Sequence, residues 1–469
     1  MERILLDLEA QDIWTSIEKE EEMKRFFEQP QTISRFLFAC IDLRMPTSVP
    51  PEEGESRQKE IERICAAKSA AASTLMRETH DESVKDKISS NDNLSLLFRW
   101  LSELEKTCWH AQVLQASIFC WNKLMQFLLQ HRFLEICLFF QKNPTILRFL
   151  ARSTSIPLVS SFLENCVKME SSLLQYPQIL WSNSILPVAI PQLSLHAKQG
   201  ETEKFLQLTL FVNSLLTQFG TTQKWFVEQT ATSVNLASCL VTNLRFPEAF
   251  DLAVTILRLS KQNSISDSKV VFLEFLCHQQ TQQQLLSNFE QPFGRLHVVE
   301  LASSALEHPL SSVEISLTKS GLLANCLDQL FVHKWSNVLH CSVTKIITQI
   351  LQQGSHKLKY WLIAHYKLLE RLLEKRSEDS GVNGFQGHIL QILTAIWHAK
   401  EKSSQKGSFF NEQLVQYIEH NFKWEEVKEW IIKKTEEQKP WEKPRALPIQ
   451  LIMSQLTNML GNYKKNLNN

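Results

Sequence analysis

Glycine is scarce in this chain, with 11 residues in 469. A β-rich or α/β protein of that length would need more, because the tight turns between strands use positive φ angles that glycine adopts without steric cost. Charge of one sign is lacking too: 50 basic and 50 acidic residues leave a formal net charge of zero. That removes the usual electrostatic grounds for a nucleic-acid partner or an acidic membrane surface. No apolar run approaches the roughly 20 residues of a membrane-spanning helix. The opening residues, MERILLDLEAQDIW, are too acidic for a secretory signal. The ten cysteines contain no C-x-x-C pair, which argues against a zinc module or a disulfide framework and for small buried hydrophobes in a reducing compartment. The expected location is therefore the cytoplasm, with access to the nucleus or to an intracellular structure.

Signature motifs of catalysis are missing as well. The chain has no G-x-x-x-x-G-K-[ST], no G-x-G-x-x-G, no G-x-S-x-G and no H-E-x-x-H, so neither a nucleotide-cradling loop nor a familiar hydrolase site is expected. No cofactor is expected, and an enzyme is the disfavoured reading.

What the chain does have is apolar residues at helical spacing. The stretch Ser320 to Leu351 reads as a helical hairpin. In its front half Leu322, Leu323, Cys326, Leu327, Leu330 and Phe331 recur at intervals of three and four. In its back half Val338, Leu339, Val343, Ile346, Ile347 and Ile350 do the same, the mark of one buried face per helix. Between them His333, Lys334, Trp335, Ser336 and Asn337 make a polar break, where Ser336 or Asn337 can cap the second helix. Such a hairpin cannot bury its faces alone, and the rest of the chain supplies neighbours. Residues 94–150 are helical and apolar on nearly all sides, as helices sandwiched between others are. Prolines at 144, 157, 177, 187, 191 and 247 mark breaks or restarts, and a buried helix over Lys204–Phe219 ends at Gly220. The run His278–Gln284 reads as a solvated helix end.

At 469 residues the chain exceeds the roughly 250–300 residues of a single core. Breaks recur every few tens of residues without a strict period. The expectation is an all-α fold, an irregular HEAT- or armadillo-like helical-repeat solenoid. The expected divisions are N-terminal helices with a mobile connector over 1–93, the helical-repeat domain over 94–432, and a partly ordered, mildly basic tail over 433–469.

Four places could carry more than packing. His333, His340 and Cys341 could in principle approach a metal, but His333 precedes the helix break and no fourth ligand is near; a histidine packed at a helix start is preferred. Gly384-Phe385-Gln386-Gly387-His388 contains G-x-x-G, the clamp of KH modules. Those modules need strands, so two glycines that let the chain pack tightly before a helix are the better reading. Trp335 could anchor a partner, since interface hot spots are rich in tryptophan, or fill a gap between helices. The lysines and arginines after Lys433 read as a solvated tail.

These same residues resemble the SAPS-domain family, regulatory subunits of serine/threonine protein phosphatase 6. Gly321-Leu322-Leu323, Cys326-Leu327-Asp328, Phe331 and Trp335-Ser336-Asn337-Val338-Leu339-His340 look like the family's leucine-rich helix leading into a W-N-N-F-L-H type motif. Gly384-Phe385-Gln386-Gly387-His388-Ile389 is similar to its G-Y-x-G-H-L element, and Phe410–Trp430 sits where its closing helix lies. Upstream, Phe98-Arg99-Trp100-Leu101 and Phe27-Glu28-Gln29-Pro30 are fainter matches. The resemblance implies a non-catalytic adaptor that grips the phosphatase catalytic subunit and helps select substrates, with an ankyrin-repeat protein as a third subunit. Consistently, the metallophosphatase motifs G-D-x-H-G and G-N-H-E are absent. The contact residues it suggests are Trp335, Asn337, His340, Gly384, Gly387 and His388. The competing expectation is a generic helical-repeat scaffold for a transport, cytoskeletal or ciliary assembly.

Overall fold

The computed structural model describes residues 82–103, 111–154, 156–172, 182–221, 224–333, 336–377, 386–401 and 412–442, with isolated positions in 33–66. Among the described residues there are 22 α-helices and no strand, so the fold is all-α and consistent with a helical-repeat solenoid. The chain divides into two compact units, Met1–Leu276 and Cys277–Asn469; this boundary falls inside the stretch 94–432. No helix among the described residues is long and apolar enough to cross a membrane.

In the first unit the helices Asn91–Glu103, Ala111–His131, Phe133–Lys142 and Pro157–Ser172 meet around aromatic rings. Phe98 lies 4.8 Å from Phe140 and 5.6 Å from both Phe139 and Phe162, ring centre to ring centre. Trp121 packs edge-on against Phe162 at 5.5 Å, and its indole N–H donates to the Leu97 carbonyl at 2.9 Å. A buried indole has one donor, and here a backbone oxygen on a neighbouring helix satisfies it. The helix Thr202–Phe219 then packs between Ser182–Gln199 and Pro247–Gln262.

Proline positions were informative in two ways. Pro144, Pro157 and Pro247 each open a helix, where the missing N–H costs nothing because the first-turn amides have no helical partner. Pro187 and Pro191, expected as breaks, instead lie inside the helix Ser182–Gln199. Both are exposed while Ile185, Leu186, Ala189, Ile190 and Leu193 are buried. Spaced four apart they share the solvent side, so the carbonyls they leave without a donor can turn to water, and burial of the opposite face outweighs the helix penalty of about 3 kcal/mol each.

Other expectations are corrected by tertiary packing. The polar stretch 77–93 contains the helix Glu82–Ile88, with Ile88 buried and the Asn93 amide donating to the Lys87 carbonyl at 2.7 Å. In the second unit Gln282 is buried and accepts a 2.8 Å hydrogen bond from the Ser320 hydroxyl, so HQQTQQQ is not wholly solvated. The stretch Trp361–Leu373 does not form one continuous helix. A π-turn spans Trp361–His365, Lys367 takes the left-handed φ of 56°, and a new helix runs Leu368–Ser377. The last described helix, Trp424–Glu442, continues past residue 432. Cys120, Cys166, Cys239 and Cys326 are buried, as the hydrophobe reading requires, while Cys341 is exposed.

Candidate functional site

The hairpin of the second unit forms as its spacing requires. Gly321 enters it with a left-handed φ of 78°, a conformation that costs glycine little. The helix Leu322–Val332 buries Leu322, Leu323, Cys326, Leu327 and Leu330, and Asn337–Gln353 buries Leu339, His340, Val343, Ile346, Ile347 and Ile350. Three positions differ from the periodic reading, the first being Phe331, which is only half-buried. Val338 is exposed, and His340 takes an inward place with no exposed surface at all. His340 lies three, four and seven residues from Val343, Thr344 and Ile347, so it shares their face.

Ser336 stands at the N-cap of the second helix, but its side chain makes no capping bond. The Asn337 side chain is used elsewhere. His388, in the first turn of the helix Gln386–Glu401, approaches it with Nε2 at 2.9 Å from the Asn337 Oδ1. An amide oxygen can only accept, so Nε2 carries the proton. Nδ1 then accepts from the Thr344 hydroxyl at 3.2 Å. The His340 ring lies edge-on beneath His388, 5.5 Å between centres. At the C-cap of the first helix, His333 Nε2 accepts from the Arg295 guanidinium at 3.2 Å.

All three imidazoles are held neutral. Burial and then Arg295 push the His333 pKa down. Burial pushes His340 down against a hydrogen bond with the His333 backbone, and His333 itself adds to the effect. Burial and then His340 push His388 down.

A second polar cluster ties the same hairpin to the broken helix. Asp328 Oδ1 accepts from the Tyr366 hydroxyl at 2.8 Å and pairs with Arg371 at 2.6 Å. The Arg371 guanidinium stacks over Phe331 at 4.4 Å and Tyr366 at 4.6 Å. Burial and then the Asp328 carboxylate raise the Tyr366 pKa strongly. Between Asn337–Gln353 and Gln386–Glu401 lies an open groove of about 500 Å³, lined by Leu351, Gln352, Gln391, Thr394, Ala395, His398 and Ala399.

The structure thus brings Asn337, His340 and His388 together across a 51-residue separation. Trp335 and Gly384 lie outside the described residues. His340 cannot itself touch a partner, because its side chain is fully buried; it packs beneath His388. Nor is a tight approach seen at Gly387, since among the described residues nothing lies within 4 Å of an added Cβ. Gly387→Ala, in an exposed first helical turn, is expected to raise stability by about 0.5–1 kcal/mol in urea unfolding, by restricting the unfolded chain. Loss of stability would mean that the glycine serves a contact.

His340 is buried and Cys341 exposed, so adjacent residues in sequence point apart. Among the described residues no group of three His, Cys, Asp or Glu side chains is placed to hold a metal. Sequence reading missed Thr344, whose signal was a hydroxyl on an otherwise apolar face. It also missed Arg295, Tyr366 and Arg371, which meet the hairpin from 38 to 43 residues away and had no local signal.

Comparison with known proteins falls on this same region. The SAPS family model, described as SIT4 phosphatase-associated protein, matches residues 311–440. Serine/threonine-protein phosphatase 6 regulatory subunit 3 of Gallus gallus is 30% identical over 154 residues, 28% of this chain and 17% of that protein. Regulatory subunit 3-B of Xenopus laevis is 28% identical over 151 residues, 27% and 18% of the two chains. Regulatory subunit 1 of Mus musculus is 25% identical over 153 residues, again 28% and 18%. The matched stretch therefore spans less than a fifth of these relatives. No solved structure matches. The SAPS resemblance read from the sequence is borne out over residues 311–440, and the relatives that carry it are named as regulatory subunits.

Proposed function

We propose that this chain is a non-catalytic regulatory subunit that binds a phosphatase-6-type serine/threonine catalytic subunit and directs it to substrates in the cytoplasm. The observation that carries the reading is the family match over 311–440. That segment contains the hairpin and the helix Gln386–Glu401, which meet through Asn337 and His388. The contact surface assigned to the partner is the exposed edge there: Asn337, Gly387 and the outer side of His388, with Trp335 and Gly384 beside them in sequence. An ankyrin-repeat third subunit is part of the same proposal. A helical-repeat surface suits this task, because its binding energy concentrates in a few anchors on a preformed frame.

Affinity capture of the tagged chain from cells, read by mass spectrometry, tests the reading. Recovery of a phosphatase-6-type catalytic subunit near one to one is the expected result. A different stable assembly without a phosphatase would leave a generic helical scaffold and end the phosphatase reading. Trp335→Ala should then weaken phosphatase binding by about tenfold or more, as hot-spot truncations do, with an unchanged unfolding midpoint. If it unfolds the protein instead, Trp335 is a core residue and not a contact.

A further inference from the structure

We propose that residues 448–460 form an amphipathic helix that seats in the open groove between Asn337–Gln353 and Gln386–Glu401 of the same molecule. The inference rests on this groove and on the sequence that follows Glu442, and not on the phosphatase reading.

Residues 443–469 lie outside the described residues, so the helix is argued from their sequence. Pro448 suits a first helical position and Gly461 a helix stop. Between them Ile449, Ile452, Met453, Leu456, Met459 and Leu460 recur at three and four, which gathers them into one stripe of a helix. Gln450, Ser454, Thr457 and Asn458 fall outside that stripe, with Leu451 the apolar exception. From Ala446 to Tyr463 there is no Asp, Glu, Lys or Arg, in a chain of which 21% is charged. Such a run is poorly suited to stay solvated. An isolated helix this short is marginal in water, so the stripe needs a surface to cover. A membrane does not meet that need, because interfacial helices carry Lys and Arg on their polar face and this one carries none.

The groove suits the stripe in chemistry. Its walls, Asn337–Gln353 and Gln386–Glu401, pack on each other. The buried Leu351 and Ala399 with the half-buried Thr394 and Ala395 make its floor, and the exposed Gln391 and His398 its rim. Among the described residues the lining contains no Asp, Glu, Lys or Arg, so an uncharged helix covers it without burying an unpaired charge. Its volume of about 500 Å³ takes several aliphatic side chains.

Position and reach fit as well. The last described helix, Trp424–Glu442, packs on the wall Gln386–Glu401. It starts with Trp424 beneath Lys400 at 5.8 Å, at the C-terminal end of that wall, and leads back along it. Residues 443–447, extended, span about 17 Å. That is enough to cross a helix about 10–12 Å wide and bring 448–460 to the groove. Tethering holds the stripe there at an effective concentration of about millimolar, an advantage that no separate molecule shares.

Hydrogen exchange of the full chain at neutral pH tests the docking. The amides of 452–460 should exchange about tenfold or more below coil rates, and dilution should change nothing, because the contact is intramolecular. Leu456→Asp puts a charge in the stripe and lies outside the described helices, so the test does not depend on their folding. It should remove the protection, a loss of about tenfold or more, the scale of one buried leucine. Ala395→Arg fills the groove from its floor and should release the same amides while Thr202–Phe219 keeps its protection. If that variant does not fold, Gln391→Arg on the exposed rim carries the same test. Coil-like exchange at 452–460 in the parent would overturn the proposal. So would protection that falls on dilution, which would place the stripe on a second copy, or protection that a folded groove variant leaves unchanged.

Discussion

Trp121→Ala is expected to lower the stability of the first unit by about 3–5 kcal/mol, the usual cost of deleting a buried tryptophan. Trp121 has no exposed surface and lies 6.2 Å from Trp100, 6.4 Å from Phe98 and 5.5 Å from Phe162. Those rings come from two other helices, Asn91–Glu103 and Pro157–Ser172, and cannot all close on the void, because they are held by further neighbours. Phe98, for one, is also locked between Phe139 and Phe140. The total stability of a domain is about 5–15 kcal/mol, so the variant should sit close to its unfolding threshold. Trp121→Phe separates packing from hydrogen bonding. It keeps a ring in place and removes the donor to the Leu97 carbonyl, for a smaller loss of about 1–2 kcal/mol. Urea unfolding followed by near-ultraviolet circular dichroism measures both. A Trp121→Ala midpoint indistinguishable from the parent would show that this cluster is not the core of its unit.

Gly220→Ala is expected to cost about 1–3 kcal/mol, as inserting a methyl group into a packed site does. The reason is not conformational, because Gly220 has an ordinary helical φ of −64°. A Cβ there would stand 2.5 Å from the Leu216 carbonyl oxygen, 2.5 Å from the Leu259 side chain and 3.2 Å from Val227. The leucine side chain can turn aside, but the carbonyl is backbone and can yield only by shifting the helix end. That shift would also disturb the Asn263 amide, which donates to the Gly220 carbonyl at 2.8 Å and ties the ends of Thr202–Phe219 and Pro247–Gln262 together. Equilibrium unfolding in urea reads the effect. A neutral or stabilising result would mean that the two helices part without cost. The contrast with Gly387→Ala is useful, since the same substitution in the same molecule should have opposite signs at the two sites.

Much of the candidate site was legible in the sequence. The hairpin Leu322–Val332 and Asn337–Gln353 follows from apolar spacing and the polar break at 333–337, and the SAPS-like stretches at 321–340 and 384–389 fall inside the segment that the family model matches. The sequence could not show that Asn337 reaches His388, because that bond depends on how two helices separated by 51 residues settle on each other. Nor could it say that His340 faces inward. A histidine beside Leu339 is compatible with either side of a helix until a neighbour covers one of them. The roles of the glycines were equally hidden: Gly387 and Gly220 look alike in a string of letters, and only the distance to the next helix tells them apart.

Sequence alone determined the helical class, because scarce glycine and three-and-four apolar spacing leave strands without turns or a suitable pattern. It also pointed to the helix starts at Pro144, Pro157 and Pro247, where a fixed φ and a missing N–H suit the first turn. Tertiary structure decided where propensity was overruled. The prolines at 187 and 191 ride inside a helix because the opposite face is buried. The chain at Trp361–Lys367 leaves the α-helix where Tyr366 and Arg371 are drawn to Asp328. Burial and cross-helix hydrogen bonds are set by residues far apart in the chain, and their energies exceed the local preferences that a sequence displays.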